Sequence, residues 1–361
     1  MLFTRSILTL FLVRHLSEST ASEKQRATAE MVAKAAHVSR VAVSRAFNPS
    51  ASIKAEKRER ILKIASELNY TPDRAARALV TRRSHLVGVI VPDVCSPWES
   101  QEIDALTTAL QAEGFATLLF KTRIDLSMDE TLLTYMKGFN LDSIIAYAEN
   151  VTPETLSRVL DRAVPIYVTY DQWEAADNDD TGLLYDRLNV HQHEGIEQAV
   201  ALLHGYGVKK LAYLTGKAQS RANTARLTTL RKVMAARGMA APIICEGDFS
   251  YDCAHAAVLD LFKFGEKPDA IFAANDEGAF GALDALRFEL GLRVPEDVKV
   301  IGFDDINQSH WRSYNLTTVK VDLDLRIKSL IRLILRRLKQ PDAPPMIEHV
   351  PTRLVVRGTV G

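Results

Sequence analysis

The chain holds only three cysteines in 361 residues, Cys95, Cys245 and Cys253. They are odd in number, far apart and without metal-ligand spacing. That excludes a disulfide framework and points to a reducing compartment, so a cytoplasmic protein is expected. Long apolar runs are also missing. Residues 7–13 follow Arg5 in the manner of a secretory signal, but the run is too short to cross a bilayer and no clean small-residue cleavage site follows it. Residues 1–25 are therefore read as a disordered or misassigned start. Nucleotide-enzyme signatures are absent: no GxGxxG opens a helix after a strand, and no GxxxxGK[ST] occurs. There is no nucleophile elbow and no acid and base pair at telling spacing, so no catalytic residue and no cofactor is expected. His191 and His193, in VHQHEG, stand two apart with no third ligand in sight, and are read as incidental rather than as a metal site.

Net charge is also lacking, at zero overall. This balance hides a local excess. From Lys24 to Arg83 there are fourteen Lys and Arg against five Asp and Glu, a net of nine positive charges. A basic head on an acidic body suggests a nucleic-acid module joined to something else.

Within that head, residues 28–48 read TAEMVAKAAHVSRVAVSRAFN. Ala29, Val32, Ala33 and Ala36 recur at helical spacing. His37 and Val38 interrupt, and Ser39 can cap a second helix that turns Val43 and Phe47 inward. This is a helix-turn-helix pattern, with the small Ala35 and Ala36 at the bend. Its second helix offers Arg40, Val41, Ala42, Ser44 and Arg45 outward from its N-terminus, where such a helix meets base edges in the major groove. Arginines can read guanine, and Val41 or Ala42 can touch a thymine methyl. A third helix, about 54–68, would close the core with Ile61, Leu62, Ile64, Ala65 and Leu68. Pro72 then breaks the chain, and Asp73 can cap a short helix over 74–80, RAARALV. That segment is too short to be stable alone. It should order only against DNA and a partner copy, with Leu79 beside Arg74 and Arg77 able to wedge into a minor-groove step.

The AVSRAFN, ELNYTP and ARAL stretches together resemble the DNA-binding head and hinge of the lactose-repressor family of bacterial transcription regulators. The resemblance implies that Arg40, Val41 and Arg45 are the main base readers and that Leu79 from each of two subunits is the minor-groove lever. Ser39, Ser44 and Asn48 in the head, and Arg74, Ala76 and Arg77 in the hinge, complete the candidate DNA-contacting set. Three residues depart from the family pattern: His37 replaces the usual glycine of the bend, Met31 a common aspartate, and Asp73 a common asparagine. His37 can meet the bend by adopting the left-handed conformation.

From residue 85 on, short apolar runs alternate with longer amphipathic ones. Runs at 86–91, 117–120, 143–146, 166–169, 210–214, 270–274 and 298–302 read as buried parallel strands. Segments 102–112, 126–137, 153–160, 196–203, 225–236, 252–262 and 278–290 read as helices. The fold class is therefore α/β, with two doubly wound layers and a ligand between them at the strand ends. The resemblance extends here through AIFAANDEGAFGALDALRFELGLRVPEDVKVIGFDDI, residues 270–306, and LTTV, residues 316–319. It implies a periplasmic-binding-protein-like core whose chain crosses between two subdomains three times. The expected organisation is a head at 26–71, a hinge and linker at 72–84, and a core at 85–361. Within the core, one subdomain spans 85–186 and 320–349, the other 187–319 and 350–361. No heptad tail follows Val356, so a homodimer is expected.

A sugar or sugar acid needs an aromatic face for its C–H side and fixed donors and acceptors for its hydroxyls. The resemblance places Phe249 as the stacking ring, Arg226 as the holder of hydroxyls or carboxylate, and Asn275 and Asp304 as polar contacts. Trp98 and Asp171 are further candidates, Trp98 being equally suited to core packing. His191 and Gln192 stand where the family has an aspartate and asparagine pair. The expected function is operator binding, as a repressor, under control of a small effector. The rival readings are a secreted sugar-binding protein, which leaves the basic head without a purpose, and an enzyme on the same scaffold.

Overall fold

A computed structural model describes residues 27–48, 51–72, 83–91, 94–122, 130–147, 164–169 and 185–361. The chain divides into two compact units between Arg82 and Arg83. In the following, helices and strands are numbered over the described residues.

In the first unit, α1 (Ala29–Ala35) starts where the Thr28 hydroxyl accepts the Met31 N–H at 3.3 Å. Helix α2 (Arg40–Ala46) starts in the same way, with Ser39 Oγ accepting from Ala42 N at 3.2 Å. Between them His37 takes φ +49°, the left-handed turn that lets Val38 N–H reach back to Ala33 O at 2.9 Å. Helix α3 (Ala55–Glu67) closes the unit. Val32, Ala33, Ala36, Val43, Ala46, Ile61 and Ala65 form its dry centre, and Phe47 meets Tyr70 edge to face with centroids 5.7 Å apart. The Arg58 guanidinium donates to Asn48 O at 2.9 Å and Ala51 O at 2.8 Å, tying α3 to the chain before it.

Two sequence expectations for this unit are corrected. Leu62 is exposed, because it sits just off the buried stripe of α3. Ala42, expected on the outer side, is half-buried against the core. The bend depends on Ala36 and on the conformation of His37. Glycine adopts that conformation without the Cβ clash that costs other residues about 1–2 kcal/mol, less its own entropy cost near 1 kcal/mol. His37→Gly is accordingly expected to raise the stability of this unit by up to about 1 kcal/mol, read as a higher urea midpoint for its unfolding transition. An unchanged or lowered midpoint would show the His37 turn to be strain-free.

The second unit is built on one continuous ladder of strands: β1 (Leu86–Val91), β2 (Ala116–Lys121), β3 (Ser143–Ala146), β4 (Ile166–Thr169), β5 (Tyr185–His191), β6 (Leu211–Leu214), β7 (Ile243–Cys245), β8 (Ala270–Ala273), β9 (Lys299–Asp304), β10 (Thr317–Val321) and β11 (Ile347–Val355). Their order is β2-β1-β3-β4-β5-β11-β10-β9-β8-β6-β7. All pairings are parallel except β10 with β11. Strand β11 joins the two halves: residues 347–351 pair with β5, and residues 352–355 turn to pair with β10. Pro351 stands at the switch, where a missing N–H is tolerated. The chain thus passes between halves at Gln192, at Asp322 and within β11.

Helices α4 (Pro97–Ala112), α5 (Glu130–Lys137) and α10 (Leu323–Lys339) accompany the first half. Helices α6 (His193–Gly205), α7 (Arg221–Ala236), α8 (Tyr251–Phe264) and α9 (Asp276–Asp284) accompany the second. Helix α9 runs into a π turn, Ala285–Glu289, so the helix expected at 278–290 is two pieces. The helix expected at 153–160 lies outside the described residues. Strands β5, β7, β10 and β11 and helix α10 were not among the runs read from the sequence, and β5 and α10 share a cause. Asp186 in β5 and Arg326 and Arg337 in α10 are charged residues at fully buried positions, which breaks the apolar pattern. Asp186 accepts from Arg337 at 2.7 and 3.0 Å, and Arg326 donates to Glu102 of α4. Burial without water makes each partner necessary to the other. No helix among the described residues is long and apolar enough to cross a membrane.

Candidate functional sites

In the first unit, Ser39, Arg40, Val41, Ser44 and Arg45 are all exposed along α2, and Val41 is 60% exposed despite its apolar side chain. The opposite side of α2 carries Val43 and Ala46 into the core, so the outward residues are free of any packing duty. Ser39 spends its oxygen as an acceptor for the helix cap and retains its O–H as a donor. Asn48 is half-buried at the end of the unit's second helix. Arg74, Ala76, Arg77 and Leu79 lie outside the described residues, as do Asp73, Asp171 and residues 1–25.

In the second unit, four of the residues singled out from the sequence meet at the C-terminal ends of the strands of the second half. Asp304 closes β9, Asn275 follows β8, Phe249 lies in the loop after β7, and Arg226 reaches in from α7. Arg226 and Asp304 are both buried, with Nη2 to Oδ1 at 3.2 Å. Arg226 also donates from Nη1 to Ala274 O. Its guanidinium lies over the Phe303 ring at 3.8 Å and 5.9 Å from the centre of the Phe249 ring. Its Nε is buried without a hydrogen-bond partner among the described residues.

Asn275 works in two directions. Its Oδ1 caps α9 by accepting from Gly278 N at 3.0 Å, and its Nδ2 donates to Phe249 O at 3.0 Å. Asp248 and Phe249 have φ of +53° and +58°, and Asp304 and Asp305 have +112° and +60°. Such backbone is costly outside glycine and persists where the surroundings enforce it. Arg357 and Lys320 hold Asp305, at 2.6 and 3.4 Å. Beneath lies Asp276, wholly buried, whose carboxylate accepts from Ile306 N at 2.9 Å, from Ser309 Oγ at 2.6 Å and from Thr318 Oγ1. Burial pushes the Asp276 carboxyl up to about 7, against the pull of those three donors. Burial also pushes Asp304 well above the ordinary carboxylate range; Arg226 opposes this, while Asp276 and Glu99 add to it.

Glu99 belongs to the first turn of α4, in the first half. From the same helix, Gln101 Oε1 accepts Asn307 N–H at 3.3 Å, so the start of α4 faces the end of β9. Trp98, in that turn, is buried in the hydrophobic core, the packing role its sequence left open. Phe303, Asp276 and Gly216 were not singled out. Asp276 is adjacent to Asn275 in ANDEG but reads as a routine helix-start acid. Gly216 matters only in three dimensions: a Cβ there would lie 2.1 Å from the Phe249 ring. Gly216→Ala is expected to push the ring out, costing about 1–3 kcal/mol of stability as overpacking does and weakening whatever stacks on Phe249. Loss of stability with unaltered ligand affinity would separate the ring from binding.

A helix-turn-helix head with an exposed cationic face, joined to a two-halved α/β core with polar and aromatic residues gathered at its strand ends, is the arrangement of a ligand-responsive DNA-binding regulator. Residues 30–73 match the bacterial regulatory proteins, lacI family, and residues 200–360 match the periplasmic binding protein-like domain. The HTH-type transcriptional regulator CelR of Thermobifida fusca is 31% identical over 349 residues, covering 92% of this chain and 98% of that protein. The chain belongs to the lacI family of bacterial regulatory proteins, and it is a DNA-binding transcriptional regulator. Among solved structures, the Lac repressor bound to ONPG in the repressed state is similar with a TM-score of 0.77 and 25% identity, covering 93% of this chain and all of that one (100%). A CelR–cellobiose complex is similar with a TM-score of 0.66 and 27% identity, covering 92% and 100%.

Proposed function

We propose that this protein is a cytoplasmic, homodimeric repressor whose operator affinity is set by a neutral saccharide held in the core cleft. The observation that carries the ligand class is the charge inventory around Arg226. Its guanidinium is already engaged, by the Asp304 carboxyl at 3.2 Å and by Ala274 O, so it offers no unpartnered cation to a ligand carboxylate. A sugar acid would need a free cation for its carboxylate; a neutral sugar needs only donors and acceptors. Phe249 supplies the face for sugar C–H groups, Arg226 Nε the spare donor, and Asn275 and Asp304 the remaining polar contacts. CelR, a relative solved with cellobiose, supports the saccharide reading.

In this reading the two α2 helices of a dimer occupy adjacent major grooves through Arg40, Val41, Ser44 and Arg45. Ser39 and Asn48 hold the backbone, and Arg74, Ala76, Arg77 and Leu79 of the hinge enter the minor groove between them. Saccharide binding biases the two halves about their three chain passages, and by linkage the operator biases saccharide affinity in turn. Fluorescence anisotropy of the chain's own upstream DNA, across salt and with neutral sugars beside sugar acids, tests the whole reading. Sequence-selective binding that falls steeply with salt and shifts with a neutral sugar is the expected result. A shift with sugar acids alone would overturn the ligand class, and equal binding to unrelated DNA would overturn the operator reading.

A further inference from the structure

His191 and His193 do not form the pair their spacing suggests. His193 opens α6, and its Nε2 lies 3.8 Å from Glu197 one turn on. His191, the last residue of β5, stands instead beside His349 of β11, with ring centroids 5.0 Å apart and planes inclined by 56°. The strand register explains this. His349 lies opposite Asn189, and Pro351 opposite His191, so the two imidazoles are diagonal neighbours on one face of a parallel pair. Both are exposed.

We propose that His191 and His349 together bind one divalent transition-metal ion of the zinc or nickel kind. A ring nitrogen ligates such an ion at about 2.0–2.1 Å, which sets the ring centroid roughly 3.2 Å from it. Two rings at a tetrahedral angle then have centroids about 5.2 Å apart, against the observed 5.0 Å. Imidazole suits these ions and not magnesium or calcium, which take oxygen ligands. The spacing is also held in advance by backbone. Thr352 Oγ1 donates to His191 O at 2.9 Å while accepting Gly195 N–H at 3.1 Å, so the two strands are clasped beside the rings. The backbone that carries both rings therefore loses little freedom on binding. Among the described residues no third His, Cys, Asp or Glu joins a set able to hold a metal; water completes the coordination, and the ion is exchangeable rather than structural.

The location gives the ion a purpose. His191 directly precedes the first passage between the halves, and His349 lies on the strand that makes the last. An ion joining them braces two of the three connections about which the halves move. Calorimetric titration of the tag-free full chain with zinc chloride and with nickel chloride tests the site. One ion per chain is expected, bound at least about tenfold more weakly by His191→Ala and by His349→Ala, since even outer-shell changes cost 10–100-fold, and unchanged in His193→Ala. His349→Asn repeats the test with a polar side chain. No saturable binding, binding equally tight in the His191 and His349 variants, or binding lost in His193→Ala but kept in His349→Ala would each overturn the assignment.

Discussion

Arg45→Ala is expected to weaken operator binding by at least roughly thirtyfold while leaving saccharide binding unchanged. A bidentate arginine–guanine contact is worth about 1–3 kcal/mol, and a dimer makes it twice, for about 2–6 kcal/mol in all. The helix survives the change because its inward residues, Val43 and Ala46, and its Ser39 cap are untouched. Anisotropy titrations on operator and on unrelated DNA distinguish the roles an exposed arginine can have. Loss confined to the operator identifies a base reader. An equal loss on both sequences, with a shallower salt slope, identifies a phosphate contact and moves base reading to Arg40 and Val41.

Arg226→Met should have the largest effect on the core. It removes the cation from a buried pair, leaving Asp304 among apolar and acidic neighbours, and breaking such a pair costs about 3–5 kcal/mol. It also removes the plane that lies over Phe303 and the unpartnered Nε. The core's urea midpoint should fall and the response of operator binding to saccharide should vanish. Adding Asp304→Leu should restore most of the lost stability, because the stranded carboxyl is gone, without restoring the response. A response that returns in the double variant would make the pair a structural element and place the effector elsewhere. The test separates stability from binding in a way that neither single substitution can.

Asn275 and Asp304 were singled out through the family resemblance, and each stands at the end of a short apolar run, where open α/β sheets bind ligands. What obscured the rest was charge at buried positions. A pattern of apolar residues cannot show that Asp186 is neutralised from a helix some 150 residues later, nor that Arg326 finds Glu102. Trp98 illustrates the reverse ambiguity, since an aromatic at a strand end serves a ligand or a core equally well until its neighbours are known. The pairing of His191 with His349 was likewise invisible, because nearness in sequence pointed to His193.

By itself the sequence determined the local chemistry of this protein. Thr28 and Ser39 cap helices through hydroxyls that need only the next turn, Arg40, Val41 and Arg45 face outward by helical period, and the basic excess of the head is a matter of composition. Tertiary structure decided everything that depends on residues far apart in the chain. It made Gly216 the floor beneath Phe249, gave Arg226 its carboxylate partner, and set β11 as the strand that, among the described residues, both halves share. The physical reason is range: capping and periodicity act within a turn or two, whereas the partner of a buried charge is chosen by packing, which no local pattern records.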